Sequence, residues 1–261
     1  MRHSKLFISI FYIFFFAALA FGRGDYYKGA ETPVVAGCVA QAKITFWWEC
    51  ENTTVDYSAG DNTVDQLGST PASLTTDAKK SGTYGCDSPL ADDYFQIDQT
   101  DTSIFGSEGR VGFWVYVNSG MGTNTPSLMK IELNTSVPNY SFKLTGSGPA
   151  YAKITWDNTT NSDINITSGS ACISASTWYW VEFWYDDSDD TVGFQVYDTN
   201  LDPVSDCSGS GSGTFDTLGT PDDFNIGNNS VSGDYYIDHV IVVNDHEQSL
   251  LSCANESSYP Y

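Results

Sequence analysis

Aromatic rings placed beside carboxylate and amide groups are the feature of this chain that could do chemistry. Two aromatic-rich runs, residues 178–185 and 192–198, flank the acidic stretch 186–190. Alternate residues of a strand share a face, so neighbouring strands would gather several of these side chains on one outer face. We expect that face to carry Trp114, Tyr116, Trp180, Glu182, Trp184, Gln195 and Tyr197.

Such a face suits a neutral sugar. Rings stack on the C–H faces of a saccharide, while Glu182 and Gln195 could hydrogen-bond its hydroxyl groups. The alternative is that loops cover this face, or that its inside and outside are reversed, because large rings are usually buried. A carbohydrate-binding surface and a plain aromatic core are therefore two interpretations of the same residues.

Extended strands must position these side chains. Segments rich in β-branched and aromatic residues recur between Gly, Asp, Asn and Ser, and no helical periodicity follows residue 20. We predict an all-β fold, a two-sheet antiparallel jelly-roll sandwich, as a single domain over residues 42–261. The Ser/Gly run 208–213 is predicted to be a flexible loop. The predicted strands are 44–49, 93–97, 111–118, 127–133, 141–144, 152–156, 178–185, 192–198, 223–226 and 235–243.

The same alternation predicts which side chains face the core. One set of alternate positions in each central strand is apolar, which makes it the better candidate for burial. The predicted inward-facing residues are Val111, Phe113, Val115, Val117, Tyr179, Val181, Phe183, Tyr185, Val192, Phe194 and Val196.

The beginning of the chain predicts export. Arg2, His3 and Lys5 precede an apolar run, residues 7–20, that ends in a small-x-small site. This pattern is typical of a secretory signal peptide over residues 1–20, with a retained anchor as the alternative. Residues 21–41 are polar and aperiodic and are predicted to be an extended lead-in. We expect a secreted or cell-surface protein with no membrane insertion.

The charge of the chain limits its partners. Asp and Glu number 33 against 11 Lys and Arg, which gives a formal net charge of −22. Nucleic acid is disfavoured because its binding depends on basic side chains that neutralise phosphates. Uronate-rich and heparin-like glycans are disfavoured for the same reason, unless a metal ion bridges the two surfaces.

Six cysteines in an exported chain predict three disulfides. Fifteen pairings are possible in principle. We favour Cys50–Cys86 and Cys172–Cys207, which close local loops, and Cys38–Cys253, which would tie the two ends together. A zinc site is disfavoured, because the sequence has no Cys-x-x-Cys pair.

Seven sequons indicate exposed segments that a eukaryotic export route could glycosylate: Asn52, Asn134, Asn139, Asn158, Asn165, Asn228 and Asn255.

A series of short motifs resembles the concanavalin A-like lectin/glucanase superfamily, in particular its laminin G-like branch. The motifs are Gly85-Cys86, Asp93-Tyr94-Phe95-Gln96-Ile97, Gly112-Phe113-Trp114-Val115, Trp178-x-x-Val181, Phe224-Asn225-Ile226-Gly227 and Tyr236-Ile237-Asp238-His239-Val240. The resemblance implies a jelly roll of twelve to fourteen strands, often with calcium, and roles in glycan binding or adhesion. The density of Trp and Tyr in the central hairpin departs from that family.

Calcium is the cofactor that the resemblance suggests. Hard carboxylate oxygens suit this ion, and the resemblance places the terminal strands close together. We expect ligands from Glu51, Asp56 and Asp61 in the loop after the first strand, with Asp238 from the last strand. No EF-hand spacing occurs, so ordinary solvated turn acids are the alternative.

Catalytic patterns of the superfamily are absent. The glucanase pattern Glu-x-Asp-x-x-Glu does not occur, and Glu49 and Glu51 are separated by a cysteine that we expect to be oxidised. A lyase of this fold would need basic residues to neutralise a uronate, and Arg110 is nearly the only one near a predicted strand.

The sequence favours a non-catalytic module that binds a neutral glycan or a glycosylated protein. A self-assembling surface subunit is the first alternative, and a glycoside hydrolase or polysaccharide lyase is the second.

Overall fold

Strands make up nearly all of the computed structural model. It describes residues 43–51, 56, 58, 62–68, 72–77, 79–87, 93–98, 104–118, 125–132, 139–146, 149–157, 162–214, 223–227 and 235–254. These residues belong to one unit of the chain, Val35–Tyr261. The predicted signal peptide 1–20 and lead-in 21–41 lie outside the described residues, so both remain predictions.

Fifteen strands and one short helix lie within the described residues. All ten predicted strands are present, with bounds that differ by up to three residues. The elements are β1 Ile44–Trp48, β2 Asp65–Leu67, β3 Ser73–Thr75, β4 Gly85–Asp87, β5 Tyr94–Asp98, β6 Glu108–Val117, β7 Ser127–Glu132, β8 Asn139–Thr145, β9 Tyr151–Asp157, β10 Ile164–Thr167, β11 Trp178–Asp186, β12 Thr191–Tyr197, β13 Pro203–Ser212, β14 Asp223–Ile226, β15 Tyr235–Val243 and α1 Leu251–Ala254.

The strands form two antiparallel sheets. The larger sheet has eight strands in the order β13-β12-β11-β6-β15-β4-β3, and β1 also pairs with β15. The smaller sheet has seven strands in the order β10-β9-β8-β7-β14-β5-β2. This is the predicted all-β, two-sheet sandwich, consistent with a jelly roll. In the described part of the chain, no helix has the length and apolar character needed to cross a bilayer.

The core lies between the two sheets and is rich in rings. Every inward-facing residue that alternation predicted in β6, β11 and β12 belongs to this core cluster, so those predictions are confirmed. Phe113 contacts Phe142 of the opposite sheet with ring centroids 5.7 Å apart, and Phe142 also stacks on Phe183 at 5.9 Å. Such aromatic contacts add to the stabilisation from buried apolar area.

The Ser/Gly run is a strand, and the prediction of a flexible loop there is wrong. Residues 208–212 belong to β13, which pairs with β12 at the edge of the larger sheet. Gly209 and Gly211 lie close to Ile166 of β10, where a Cβ atom would meet the isoleucine side chain at 2.5 and 2.7 Å. Composition suggested flexibility, but here the absence of side chains lets two edge strands pack closely.

Two predicted disulfides are present. Cys50 and Cys86 are joined with Cα atoms 5.3 Å apart, and Cys172 and Cys207 with Cα atoms 5.6 Å apart. The first links the end of β1 to β4, two strands that pair with different parts of β15. Cys253 is buried and disulfide-bonded. Its predicted partner Cys38 lies outside the described residues.

Candidate functional site

The seven side chains expected on one outer face do share a face of the larger sheet. β6, β11 and β12 are neighbours, and their register aligns the side chains in rows. Trp180 lies opposite Trp114 on one side and Tyr197 on the other. The other cross-strand pairs on this face are Glu182 with Gln195, Trp184 with Arg110, and Tyr116 with Trp178.

Three of these seven residues are buried, which corrects the expectation that they face solvent. Trp114 is 1% exposed, and Trp180 and Glu182 are 0% exposed. The segment after β15 crosses the face, and Leu250, Cys253 and Ala254 join the two indoles in a second apolar cluster. These three side chains are therefore unable to stack on or hydrogen-bond a sugar in solution.

Glu182 holds the covering segment in place. Its Oε1 accepts hydrogen bonds from the Leu250 backbone amide at 2.9 Å and from Trp180 Nε1 at 3.1 Å. Its Oε2 accepts from the Arg110 guanidinium at 2.6 Å. The indole of Trp114 donates to the carbonyl of Ala254 at 3.1 Å. Glu182, one of the two polar residues expected to recognise a sugar, instead fastens the segment around Leu250 to the sheet.

Trp184, Gln195 and Tyr197 remain partly exposed, but protein groups already engage them. The Arg110 guanidinium lies over the Trp184 ring, 4.6 Å from its centroid. Gln195 Nε2 donates to the Val196 carbonyl at 2.8 Å. Burial, with a smaller effect of the nearby Glu182 carboxylate, raises the pKa of Tyr197 to about 12. Protein contacts therefore already occupy the Trp184 ring and the Gln195 NH₂ group at this end of the face.

An aromatic cleft forms where the covering ends. The last cross-strand row of the same face consists of Trp178, Tyr116 and Tyr236, from β11, β6 and β15. The rings of Trp178 and Tyr116 have centroids 5.3 Å apart, and those of Tyr116 and Tyr236 are 6.1 Å apart. All three side chains are partly exposed. Of the seven predicted residues, Tyr116 is the one that lies in this cleft.

Polar groups border the three rings. The cleft has a volume of about 490 Å³, within the range of small-ligand sites. The segment between β3 and β4 contributes Thr76, Asp77 and Lys79, and Asn118 follows β6. The cleft therefore combines flat apolar surfaces with a carboxylate, an amide, a hydroxyl and an ammonium group.

Sequence reasoning missed most of this cleft. Tyr236 occupies an outward position of β15, and the two-residue periodicity used for β6 and β11 identifies it when applied to β15. Trp178 occupies the same face as Trp180 by the same periodicity. The loop residues Thr76, Asp77 and Lys79 gave no signal, since the return of their loop to this face depends on the short strands β3 and β4.

Three of the four expected calcium ligands, Glu51, Asp56 and Asp238, lie among the described residues, where they do not form one site. Asp56 is buried, and its carboxylate accepts hydrogen bonds from the backbone amides of Trp47, Ser58 and Asn62 and from two side chains. These contacts tie both oxygens of the Asp56 carboxylate to β1 and to its own loop. Asp61 lies outside the described residues. Among the residues that are described, no three His, Cys, Asp or Glu side chains form a group able to hold a metal ion.

Glu51 and Asp238 both hold the segment between β3 and β4. Glu51 Oε1 accepts from the Thr83 amide at 2.7 Å, and Asp238 Oδ2 accepts from the Lys80 and Ser81 amides at 2.8 and 3.1 Å. Burial raises the pKa of Asp238 to about 7, and the Glu51 carboxylate adds to this shift. Calcium binding stays a prediction, and in the described residues these acids act as loop anchors.

Comparisons with solved structures agree with the fold. The chain is similar to the binding domain of botulinum neurotoxin serotype D, with 10% identity over 82% of this chain and 52% of that one and a TM-score of 0.61. It is also similar to the binding domain of botulinum neurotoxin DC in complex with SialylT, with 12% identity over 84% of this chain and 52% of that one and a TM-score of 0.57. A third match is the type C neurotoxin, whose cell entry depends on two ganglioside molecules, with 12% identity, coverages of 84% and 52%, and a TM-score of 0.56.

The chain spans about half the length of these structures. At this level of identity the likeness shows a shared fold. No protein-family model and no curated protein sequence matches the chain.

Proposed function

We propose that this chain is an exported, non-catalytic carbohydrate-binding module of laminin G-like type, and that the aromatic cleft binds a neutral glycan. The observation that carries this proposal is the row of three partly exposed rings, Trp178, Tyr116 and Tyr236, that lines a cleft on this sheet face. Burying rings of this size is favourable, so leaving three of them side by side at the surface suggests a ligand that covers them.

The composition of the cleft favours a sugar over a purely apolar ligand. A pyranose presents C–H groups to an aromatic ring and hydroxyl groups to its edges, and the cleft provides both kinds of partner. Asp77 and Asn118 can accept hydrogen bonds from sugar hydroxyls, and Lys79 can donate to sugar oxygens. Because these charges are of opposite sign, the cleft itself does not select an anionic ligand.

Other features of the chain are compatible with this role. Two disulfides suit an extracellular location. Two of the structures of similar fold come from proteins described with a bound sialylated sugar or with gangliosides, which makes a glycan ligand reasonable for this fold. The fold alone does not establish the ligand, so the argument depends on the cleft.

A glycan array with matched variants tests the proposal. The wild-type protein is expected to bind one or more neutral oligosaccharides, and Trp178→Ala is expected to weaken that binding at least tenfold, since it removes a stacking surface. The control is Tyr151→Ala, which removes a ring that is 38% exposed and belongs to the smaller sheet. Equal binding by wild type and Trp178→Ala, with both variants folded by circular dichroism, would overturn the proposal.

A further inference from the structure

The smaller sheet has an outer face that differs from the aromatic one. Residues of β7, β8, β9 and β14 that point away from the core are almost all polar, with Tyr151 as the exception: Lys130, Glu132, Asn139, Ser141, Lys143, Thr145, Lys153, Thr155, Asp157, Asp223 and Asn225. The register places Lys143 directly opposite Lys153, and Lys130 opposite Ser141, two residues from Lys143. Three lysines therefore neighbour one another.

This grouping is unusual for so acidic a chain. The described residues contain seven basic side chains, Lys43, Lys79, Lys80, Arg110, Lys130, Lys143 and Lys153, and three of the seven share this face. Lys43 pairs with Asp245 and Arg110 with Glu182, so those charges serve structural contacts. Like charges directly opposite each other on a sheet are destabilising. An arrangement that costs stability points to a use for the positive charge.

Acidic neighbours offset only part of that charge. Lys130 forms an ion pair with Glu132, and Asp157 interacts favourably with both Lys130 and Lys143. Burial and the mutual repulsion of the ammonium groups still lower the pKa of Lys130 and of Lys143. Among the described residues, Lys130 has an ion-pair partner, whereas neither Lys143 nor Lys153 forms an ion pair.

A second observation points to a ligand with hydroxyl groups. Asn225 is 1% exposed and lies directly opposite Lys130. Its Nδ2 donates to Glu132 Oε2 at 3.1 Å, but its Oδ1 is buried and has no hydrogen-bond partner. A buried acceptor without a partner costs about 1–3 kcal/mol. A donor that arrives with a ligand would relieve this cost, provided that the side chains around Asn225 shift to admit it.

We propose that the outer face of the smaller sheet binds a saccharide unit that carries one carboxylate or sulfate group. Lys143 and Lys153 bind the acidic group, and a hydroxyl of the same sugar donates to Asn225 Oδ1. Ser141 and Thr155 lie between these positions, but both are buried and hydrogen-bonded to each other at 2.8 Å, so the contacts to the sugar are assigned to the two lysines and Asn225. This site is separate from the aromatic cleft, which lies on the other sheet.

The negative charge of the whole chain does not prevent such binding. Interactions between exposed charges are screened beyond about 8 Å at physiological ionic strength, so a single acidic group responds mainly to the nearest charges. An extended polyanion would contact acidic surface on every side and stays disfavoured. The inference therefore concerns one acidic sugar in an otherwise neutral glycan.

An NMR titration of the ¹⁵N-labelled protein tests this site. The probes are methyl β-glucuronide for the carboxylate, galactose 6-sulfate for the sulfate and methyl β-glucoside as the neutral counterpart. At least one acidic probe is expected to shift amide signals of β7, β8, β9 and β14, with affinity that falls as salt is added, and the neutral probe is expected to leave them unchanged. Whichever acidic probe binds more tightly identifies the group.

Lys143→Gln is the decisive variant. It is expected to weaken binding of the acidic probe at least tenfold and to melt at the same temperature as wild type or higher, because it removes a like-charge pair. Lys43→Gln, which removes the same charge from an exposed position, is expected to bind as wild type does. Unchanged affinity in Lys143→Gln, shifts confined to the aromatic cleft, or equal binding of the neutral probe would each overturn the inference. None of these results tests whether the aromatic cleft binds a neutral glycan, which the Trp178→Ala variant tests separately.

Discussion

At the scale of single residues, the carboxylate of Glu182 decides what the outer face of the larger sheet can do. It is fully buried, and it accepts hydrogen bonds from Arg110, Trp180, Ser249 and Leu250. A buried charge is tolerated only when it is paired and hydrogen-bonded, and Glu182 meets both conditions. The residue therefore stabilises the cover over Trp180, and the row of rings beyond that cover stays partly exposed.

Glu182→Gln is expected to destabilise the protein by about 3 kcal/mol, a value typical for breaking a buried ion pair. The amide keeps one acceptor oxygen for Trp180 and Leu250, but its NH₂ group faces the Arg110 guanidinium and leaves that charge uncompensated. Urea denaturation followed by tryptophan fluorescence measures the loss.

The control for this variant is Lys43→Gln, which breaks the ion pair with Asp245 at an exposed position. Exposed pairs contribute little because water and salt screen them. A denaturation midpoint for Glu182→Gln as high as that of Lys43→Gln would show that Glu182 does not hold the covering segment.

At the scale of elements, the edge strand β13 shows how packing can override composition. Its alternate glycines face Ile164 and Ile166 of β10, the edge strand of the smaller sheet. The two edges can approach because Gly209, Gly211 and Gly213 present no side chains toward those isoleucines. The glycines are thus a packing requirement of this corner of the sandwich.

Gly209→Ala tests this requirement. An added Cβ would lie 2.5 Å from Ile166 Cγ2 and 2.8 Å from Phe194 Cε1, both in packed positions. Overpacking of this kind costs about 1–3 kcal/mol, and we expect an unfolding free energy lower by that amount. Ser210→Ala, an exposed neighbour in the same strand, should change it by much less. Equal stability of the two variants would indicate that the edges do not pack as described.

Packing also explains which strands and which site residues could be predicted from the sequence. The ten strands found from alternation all bury one apolar face, and that burial is what imposes the two-residue period. β2, β3 and β4 have three residues each, too few for a period to show. At the site, alternation placed Trp114 and Trp180 on the correct face. It could not show their burial, because the cover comes from residues around Leu250 and Ala254, far away in sequence.

At the scale of the whole molecule, two buried titratable groups, Asp238 and His239, and the partly buried Glu49 make stability depend on pH. Burial raises the pKa of Asp238 to about 7 and that of Glu49 to about 7, and it lowers the pKa of His239 to about 4. Glu49 and His239 lie close together, with Oε1 and Nδ1 4.0 Å apart. Asp238 precedes His239 in the irregular part of β15, where the pairing with β6 shifts register.

The two acids and the histidine change the stability of the protein in opposite directions as the pH rises. Asp238 and Glu49 have folded-state pKa values above their ordinary values of 3.8 and 4.5, so their contribution to stability is complete below about pH 4 and is lost as the pH rises through 7. His239 has a folded-state pKa below its ordinary 6.5, so its contribution is complete above that pH and is lost as the pH falls through 4. As the pH rises from 5 to 7, the stability lost through the two acids exceeds the stability gained through the single histidine.

The wild-type protein is therefore expected to become less stable as the pH rises from 5 to 8. Asp238→Asn removes one of the two acids while keeping an oxygen for the Lys80 and Ser81 amides, and it should flatten the profile by up to about 1.4 kcal/mol per pH unit. Urea denaturation at pH 5, 6.5 and 8 measures the slopes, and Glu247→Gln, an exposed acid, should keep the wild-type slope. Parallel profiles for Asp238→Asn and wild type would mean that Asp238 is ionised in the folded protein throughout this range. Asp238 would then contribute nothing to the pH response, and Glu49 together with repulsion among the many surface carboxylates would have to account for any decline in stability.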